Sequence, residues 1–292
     1  MSSRYDQLNN RVREMTGEFT LPKFFFGQGI IHFMLIAIIS LLVLPIALAA
    51  IFSTQTTIEV YIITNVTPGS NLIENYWTVL TEHNFLGLMQ NSLVMTIVII
   101  LGKLSFSLLA ATALVYYDFP YQKYFFYIIL FTLMLPIPVR IVPLFQMFVD
   151  WGWVNTFKGL TAPYIASATA VFLFRQRFMS IPASILETAK LDGIGPVRFM
   201  IYVLIPMSKG MIAGVTVIMF ISMWNKYLWP LVIIRDQDRQ VAQVGLSFIQ
   251  GAASDGLTQW NLVMAAAMLA LIPPLIVMIM ARRPLLDTFG IK

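Results

Sequence analysis

Six stretches of this chain run for about 20 residues each without a single Asp or Glu: about Ile30 to Phe52, Leu88 to Val115, Phe125 to Met147, Leu160 to Phe178, Met211 to Ile233 and Trp260 to Met280. Twenty mostly apolar residues in helical form match the thickness of a bilayer's hydrocarbon layer. Inside lipid every backbone polar group must find a partner within the chain, so a chain of this kind folds as a helical bundle. Composition agrees: the 292 residues are 58% hydrophobic and 11% charged, where a soluble domain carries about 25% charge. The expected fold class is all-α, a polytopic membrane protein with six transmembrane helices.

Small residues concentrate in the second run (Ser105, Ser107, Ala110, Ala111, Ala113) and the fourth (Ala166, Ser167, Ala168, Ala170). They let helix backbones approach closely, which predicts that these two runs pack inside the bundle. The net charge is +5. Because the basic residues lie between the apolar runs, this charge speaks of orientation rather than of nucleic acid. With the N-terminus in the cytoplasm, the outside segments hold only Lys158, Arg235 and Arg239 of the 19 Lys and Arg residues, and residues 53–87 hold none. Both termini are therefore expected in the cytoplasm. The polar start, residues 1–28, has no short apolar core followed by a small-residue cleavage site, so the first run is read as an uncleaved anchor. The expected organisation is a cytoplasmic segment (1–28), a membrane domain (29–281) with a polar loop at about 180–208, and a cytoplasmic tail (282–292).

There are no cysteines and only two histidines, His32 and His83, far apart in sequence. Thiol chemistry is excluded, and no metal-binding spacing occurs. No GxxxxGK[ST] loop is present either, so the chain is not expected to hydrolyse a nucleotide itself. The apolar runs lack the buried carboxylates that an ion-driven secondary transporter would use as ion sites.

The polar loop between the fourth and fifth runs contains "ETAKLDGIGPVRFMIYVLIP", Glu187 to Pro206. Pro182 suits a helix's first turn, Gly193 follows Asp192 where a left-handed cap belongs, and Gly195-Pro196 restarts a second helix. The expected form is a compact knuckle of two short helices. It exceeds the 2–8 residues a helical connection needs and retains Ile185, Leu186 and Ile194. A solvated connector and a docking surface for a soluble partner both fit it.

The pattern Glu187-Thr188-Ala189-Lys190-Leu191-Asp192-Gly193-Ile194, with Phe199 and Pro206 downstream, resembles the EAA motif of ABC importer permeases. It departs from that motif at Thr188 and Ile194, where the family usually has alanine. Further stretches, "NSLVMTIVIILGKLSFSLLAATALV", "FTLMLPIPVRIVP", "SATAVFLFRQRFM" and "WNKYLWPLVII", are similar to the MalG-like carbohydrate group, and most of all to the second membrane subunit of glycerol-3-phosphate (Ugp-type) importers. The resemblance covers the chain from the first run to the sixth. It implies a type I importer permease in a prokaryotic cytoplasmic membrane. The knuckle would be a coupling helix seated in a cleft of a cytoplasmic ATPase. Glu187, Thr188, Ala189, Asp192, Gly193 and Pro206 would form the ATPase-coupling element. Implied partners are a second permease subunit, two copies of the ATPase and an extracytoplasmic binding protein. ATP and Mg would be used by the ATPase, with no cofactor or metal on this chain. The implied cargo is glycerol-3-phosphate or a glycerophosphodiester, with a neutral sugar as the alternative.

Candidate path residues are Lys103, Arg140, Trp224, Asn225 and Tyr227. A cation at membrane depth costs roughly 2.5–3.5 kcal/mol on insertion scales and usually faces a cavity or partner, and Arg and Lys suit a phosphoester. The alternatives are that Lys103 snorkels to an interface and that Arg140 pairs with Asp150. In "WNKYLWP" the aromatic residues suit either an interfacial belt or the path. Trp229 is assigned to the belt, and Trp224 with Asn225 to the path. Pro230 is expected to bend or end the fifth helix. Arg175 and Arg177 read as a positive anchor at the inner end of the fourth run.

Overall fold

The computed structural model describes residues 28–62, 64–134, 137–254 and 256–288. The expected N-terminal segment thus lies almost wholly outside the described residues, as do residues 289–292. The chain divides into two units, residues 1–48 and 49–292. The described part of the first unit belongs to the helix Gln28–Phe52, which carries no charged residue and contains Pro45.

Among the described residues, three helices are continuous, long and apolar enough to cross a membrane: Gly29–Phe52, Phe85–Tyr116 and Trp260–Arg282. The other three runs are helical but interrupted. The third is carried by Gln122–Leu133 and Ile137–Asp150; the join between them lies outside the described residues. The fourth is Phe157–Tyr164 followed by Ala168–Met179, bent by 42°. Ser167 makes that break by capping the second piece, its hydroxyl accepting from the Ala170 N–H at 3.3 Å. The fifth helix, Lys209–Trp224, stops nine residues short of the expected Ile233 and resumes as Leu228–Ile233. Pro230 does not break it. The interruption falls earlier, at Asn225, and Pro230 sits in the first turn of the new helix, where a missing N–H costs little. The last helix continues to Thr288, past the expected end of the span at Met280. Charge at Arg282 and Arg283 limits how far the chain stays in lipid, but it does not end a helix.

The second and fourth runs pack against each other as their small residues lead one to expect. Ser107 and Ala111 are buried, and the Ser107 hydroxyl lies 3.3 Å from the Ser167 carbonyl. A Cβ on Gly102 would meet the Ile165 side chain at 2.7 Å, so glycine is what allows that approach. Helix Lys209–Trp224 packs on both Phe85–Tyr116 and Trp260–Thr288.

Residues 53–62 and 64–82 carry no basic residue but are tied together by local hydrogen bonds. Thr56 and Glu59 form a reciprocal capping box on a short helix, Thr57–Val60. Asn75, buried in helix Leu72–Thr81, donates to the carbonyls of Ser53 (2.9 Å) and Gln55 (2.8 Å). Its own side-chain oxygen accepts from Asn261 at 2.9 Å, which ties this segment to the last span. A single antiparallel pairing, Ala253–Ser254 with Leu257–Thr258, is the β-structure among the described residues.

Candidate functional site

The knuckle folds as two helices, Ala183–Leu191 and Pro196–Met207. Pro182 stands just before the first as its N-cap residue, one place earlier than expected. The turn between the helices is closed by two backbone hydrogen bonds, Ile194 N–H to Ala189 O (2.9 Å) and Gly193 N–H to Lys190 O (3.1 Å). This is the Schellman arrangement, which needs a left-handed residue at Gly193. Its φ is +70°, a value that costs an L side chain roughly 1–2 kcal/mol. Pro196 then opens the second helix, with Gly195 as its N-cap residue. Residues Met200–Leu204 form a π-helical turn. This widened turn lies where the Pro206 ring would otherwise press on the carbonyl of Tyr202.

The motif residues sort into two sets. Ala189 and Phe199 are buried, with Met200 and Leu204 behind them. Glu187, Thr188, Asp192, Gly193 and Pro206 are exposed. The Thr188 hydroxyl is spent locally, donating to the Ser184 carbonyl at 2.9 Å. Leu191, between Lys190 and Asp192, is 89% exposed, a large apolar side chain offered outward on the same face as Glu187 and Thr188. Inward, the Phe199 ring meets Tyr116 edge-on, with centroids 5.3 Å apart. The Tyr116 hydroxyl donates to the Phe178 carbonyl at 2.9 Å. Sequence reasoning missed Tyr116, which looks like any tyrosine at a span's end. It also gave Arg177 only an anchoring role. Arg177 instead donates to the Met207 carbonyl at 2.6 Å, satisfying an end-of-helix acceptor that the helix cannot.

Past Met207 the chain turns by 85° into Lys209–Trp224. Ser208 occupies the corner, buried, and its hydroxyl has no hydrogen-bond partner among the described residues.

A second set of residues gathers around Lys103, in mid-span of Phe85–Tyr116. Lys103 is buried and does not snorkel to an interface; its Nζ lies 3.7 Å from the Met223 sulfur. It lines a cavity of about 160 Å³ together with Ser167, Thr169 and Ser222 and several apolar residues. Lys226 stands close enough for the two ammonium charges to repel one another. Its Nζ lies 5.3 Å from the Tyr164 ring centroid. Tyr164 in turn shares a hollow of about 100 Å³ with Arg140. Among the described residues the one ion pair is Arg239 with Asp236. Arg140 therefore does not pair with Asp150, and none of these three cations has a carboxylate partner there.

Trp224 corrects an expectation. Its ring is buried, stacked on Phe220 at 5.9 Å, and its indole N–H donates to the Ala270 carbonyl at 3.0 Å. It is a packing element between the fifth and sixth spans and does not line the Lys103 cavity. Trp229 is likewise no belt residue: it is buried against Phe148 and donates to the Gly159 carbonyl at 3.1 Å. Asn225 and Tyr227 are exposed at the helix break, with Asn225 accepting from Gln243 at 3.0 Å. Lys226, Tyr164, Thr169 and Ser222 were not singled out from sequence. Their signal there is a polar side chain inside an apolar run.

Residues 103–285 match the model of the family described as "Binding-protein-dependent transport system inner membrane component". The chain belongs to that family. It is a multi-pass inner-membrane permease subunit of an ABC importer and is not itself an enzyme. Relatives include proteins named "sn-glycerol-3-phosphate transport system permease protein UgpE". The one from Brucella melitensis is 40% identical over 264 residues, 86% of this chain and 92% of the relative. The one from Rhizobium meliloti is 41% identical over 260 residues, with the same coverage. Among solved structures, a chain of a bacterial ABC transporter involved in the import of the acidic polysaccharide alginate aligns with a TM-score of 0.78. It is 24% identical and covers 87% of this permease and 95% of that chain. That likeness gives the permease the type I importer fold.

Proposed function

We propose that this permease forms half of a translocation path for glycerol-3-phosphate or a related glycerophosphodiester, and that the Glu187–Gly193 knuckle couples it to a separate ATPase. The observation that carries the cargo is a set of three cations, Lys103 in its own cavity and Lys226 and Arg140 about Tyr164, none with a carboxylate partner among the described residues. Unpaired cations at membrane depth are costly and are retained where an anion compensates them. A phosphoester supplies that anion, and the hydroxyls of Ser167, Thr169 and Ser222 suit its glycerol end. The names of the relatives support the same cargo.

The coupling role rests on the knuckle's construction. A capped turn, two buried anchors and an outward face of Glu187, Thr188 and Leu191 make a rigid element with a free surface. On this reading the knuckle end faces the cytoplasm and both termini lie there too. A second permease subunit completes the path, two ATPase copies use ATP and Mg, and an external binding protein delivers the cargo. This chain itself holds no cofactor.

The test is uptake into proteoliposomes containing the purified importer, offered glycerol-3-phosphate, glycerophosphocholine and maltose in parallel. ATP-dependent uptake of the two phosphoesters and not of maltose is the expected result. Uptake of maltose alone would replace the cargo by a neutral sugar and leave the coupling assignment standing.

A further inference from the structure

A third hollow, of about 290 Å³, is lined by Leu114, Gln122, Lys123, Phe126, Tyr127 and Arg175. It lies where the end of the second span, the start of helix Gln122–Leu133 and the end of helix Ala168–Met179 converge. Both charged side chains in its wall are cations. The Arg175 guanidinium carbon sits 4.2 Å from the Phe126 ring centroid, so one flat face of the group is held by the ring. Its Nε is buried and has no hydrogen-bond partner among the described residues. Among the described residues, neither Arg175 nor Lys123 enters an ion pair. Gln122 is fixed differently, donating to the Leu114 carbonyl at 2.8 Å. Helix Gln122–Leu133 has no side-chain cap at its N-terminus, so the partial positive charge of its first turn adds to the same corner.

Leaving an arginine partly buried without an acceptor costs stability unless something fills the place. The surroundings say what kind of molecule does. Along the same helix, Tyr124, Phe125, Ile128 and Phe131 are exposed. A free phosphate would satisfy the cations and leave this apolar flank uncovered. A molecule with an anionic head and long apolar tails would satisfy both. Basic pockets between membrane helices near the bilayer surface bind anionic headgroups in this way, and guanidinium offers a two-pronged fork to phosphate.

We propose that this pocket holds the phosphate headgroup of an anionic phospholipid, with Arg175 and Lys123 as the ligating cations and the Phe125–Phe131 flank against its acyl chains. The site is separate from the Lys103 cavity and does not depend on the identity of the cargo. It lies at the same end of the bundle as the knuckle, because Arg175 is three residues before Phe178, whose carbonyl receives Tyr116.

The test needs no transport. The full-length permease, with the subunits that co-purify, is placed in phosphatidylcholine nanodiscs containing increasing phosphatidylglycerol. Bound lipid is counted by native mass spectrometry. One phosphatidylglycerol retained per permease is expected, and both Arg175→Gln and Lys123→Gln should weaken retention by about fivefold. Millimolar inorganic phosphate should not displace the lipid. Lys123 is exposed, so its variant tests the site even if Arg175→Gln fails to assemble. Unchanged retention in Lys123→Gln, equal retention of phosphatidylcholine, or full displacement by inorganic phosphate would each overturn the proposal.

Discussion

Arg177, at the end of the fourth span, donates a 2.6 Å hydrogen bond to the backbone carbonyl of Met207, thirty residues further along. The two residues bracket the knuckle, so this bond closes the loop at its base. The Tyr116–Phe178 bond and the edge-on Phe199 ring brace it from inside. The loop offers Glu187, Thr188 and Leu191 outward and is bolted to the bundle underneath.

Removing the basal bond should loosen the knuckle without unfolding the bundle. A hydrogen bond to a charged donor contributes about 1.5–3 kcal/mol at best, and less for a partly exposed group like this one. Arg177→Ala should therefore retain membrane insertion and assembly but raise the ATP hydrolysed per molecule of cargo imported. Parallel ATPase and uptake assays in proteoliposomes read that ratio, and an unchanged ratio would remove the bond from the coupling mechanism.

Gly193 is required by its backbone conformation alone, since a Cβ there would meet nothing within 4 Å. Gly193→Ala should cost about 1–2 kcal/mol locally, and Gly193→Asn less, because asparagine tolerates φ near +70° better. Gly193→Pro and Glu187→Lys should abolish ATP-coupled uptake while the chain still inserts. Normal uptake by either variant, in membranes where its amount equals wild type, contradicts the coupling role.

Phe199 is 1% exposed. Phe199→Ala should destabilise the purified permease by about 3 kcal/mol, and Phe199→Leu by less. Thermal melting in detergent gives the order. A Phe199→Ala protein that melts with wild type would show that the aromatic cluster does not anchor the knuckle.

Lys103→Met dissociates stability from function. It removes a buried cation whose insertion costs roughly 2.5–3.5 kcal/mol, so the variant should be at least as stable as wild type. Loss of one charge-assisted contact should still cut uptake of an anionic cargo by about tenfold. Arg140→Ala and Asn225→Ala should lower uptake with the complex intact. If all three variants transport normally, the path lies elsewhere in the chain.

Trp224→Phe keeps the stacked ring and loses only the indole bond to Ala270. A cost of about 1 kcal/mol in thermal stability is expected, with cargo preference unchanged. A shift in preference among cargoes would return Trp224 to the path.

The apolar runs made the spans legible because lipid imposes a length and forbids charge, and both are visible in a string of letters. The knuckle was legible because Gly193 and Pro196 have few backbone conformations to choose from. The interior of the site was not. Lys103 stood out as a charge in an apolar run, but its neighbours Thr169, Ser222 and Lys226 lie outside that run, and only the packing brings them together. The fate of the tryptophans was hidden for the same reason. Trp224 and Trp229 sit five residues apart in one aromatic stretch, yet each is turned inward to a different carbonyl, Ala270 and Gly159. Helix breaks at Ser167 and Asn225 escaped notice because hydropathy does not register them.

The right angle at Ser208 has a mechanical consequence. The 12 residues of Pro196–Met207 and the 16 of Lys209–Trp224 form arms of roughly 18 and 24 Å at 1.5 Å per residue. Two stiff arms joined at a corner are a bell-crank. A push across the outer arm does not slide the membrane arm along its axis; it swings it. The far end then sweeps about a third further than the point pushed, and that far end is Trp224 and Asn225, beside Lys226.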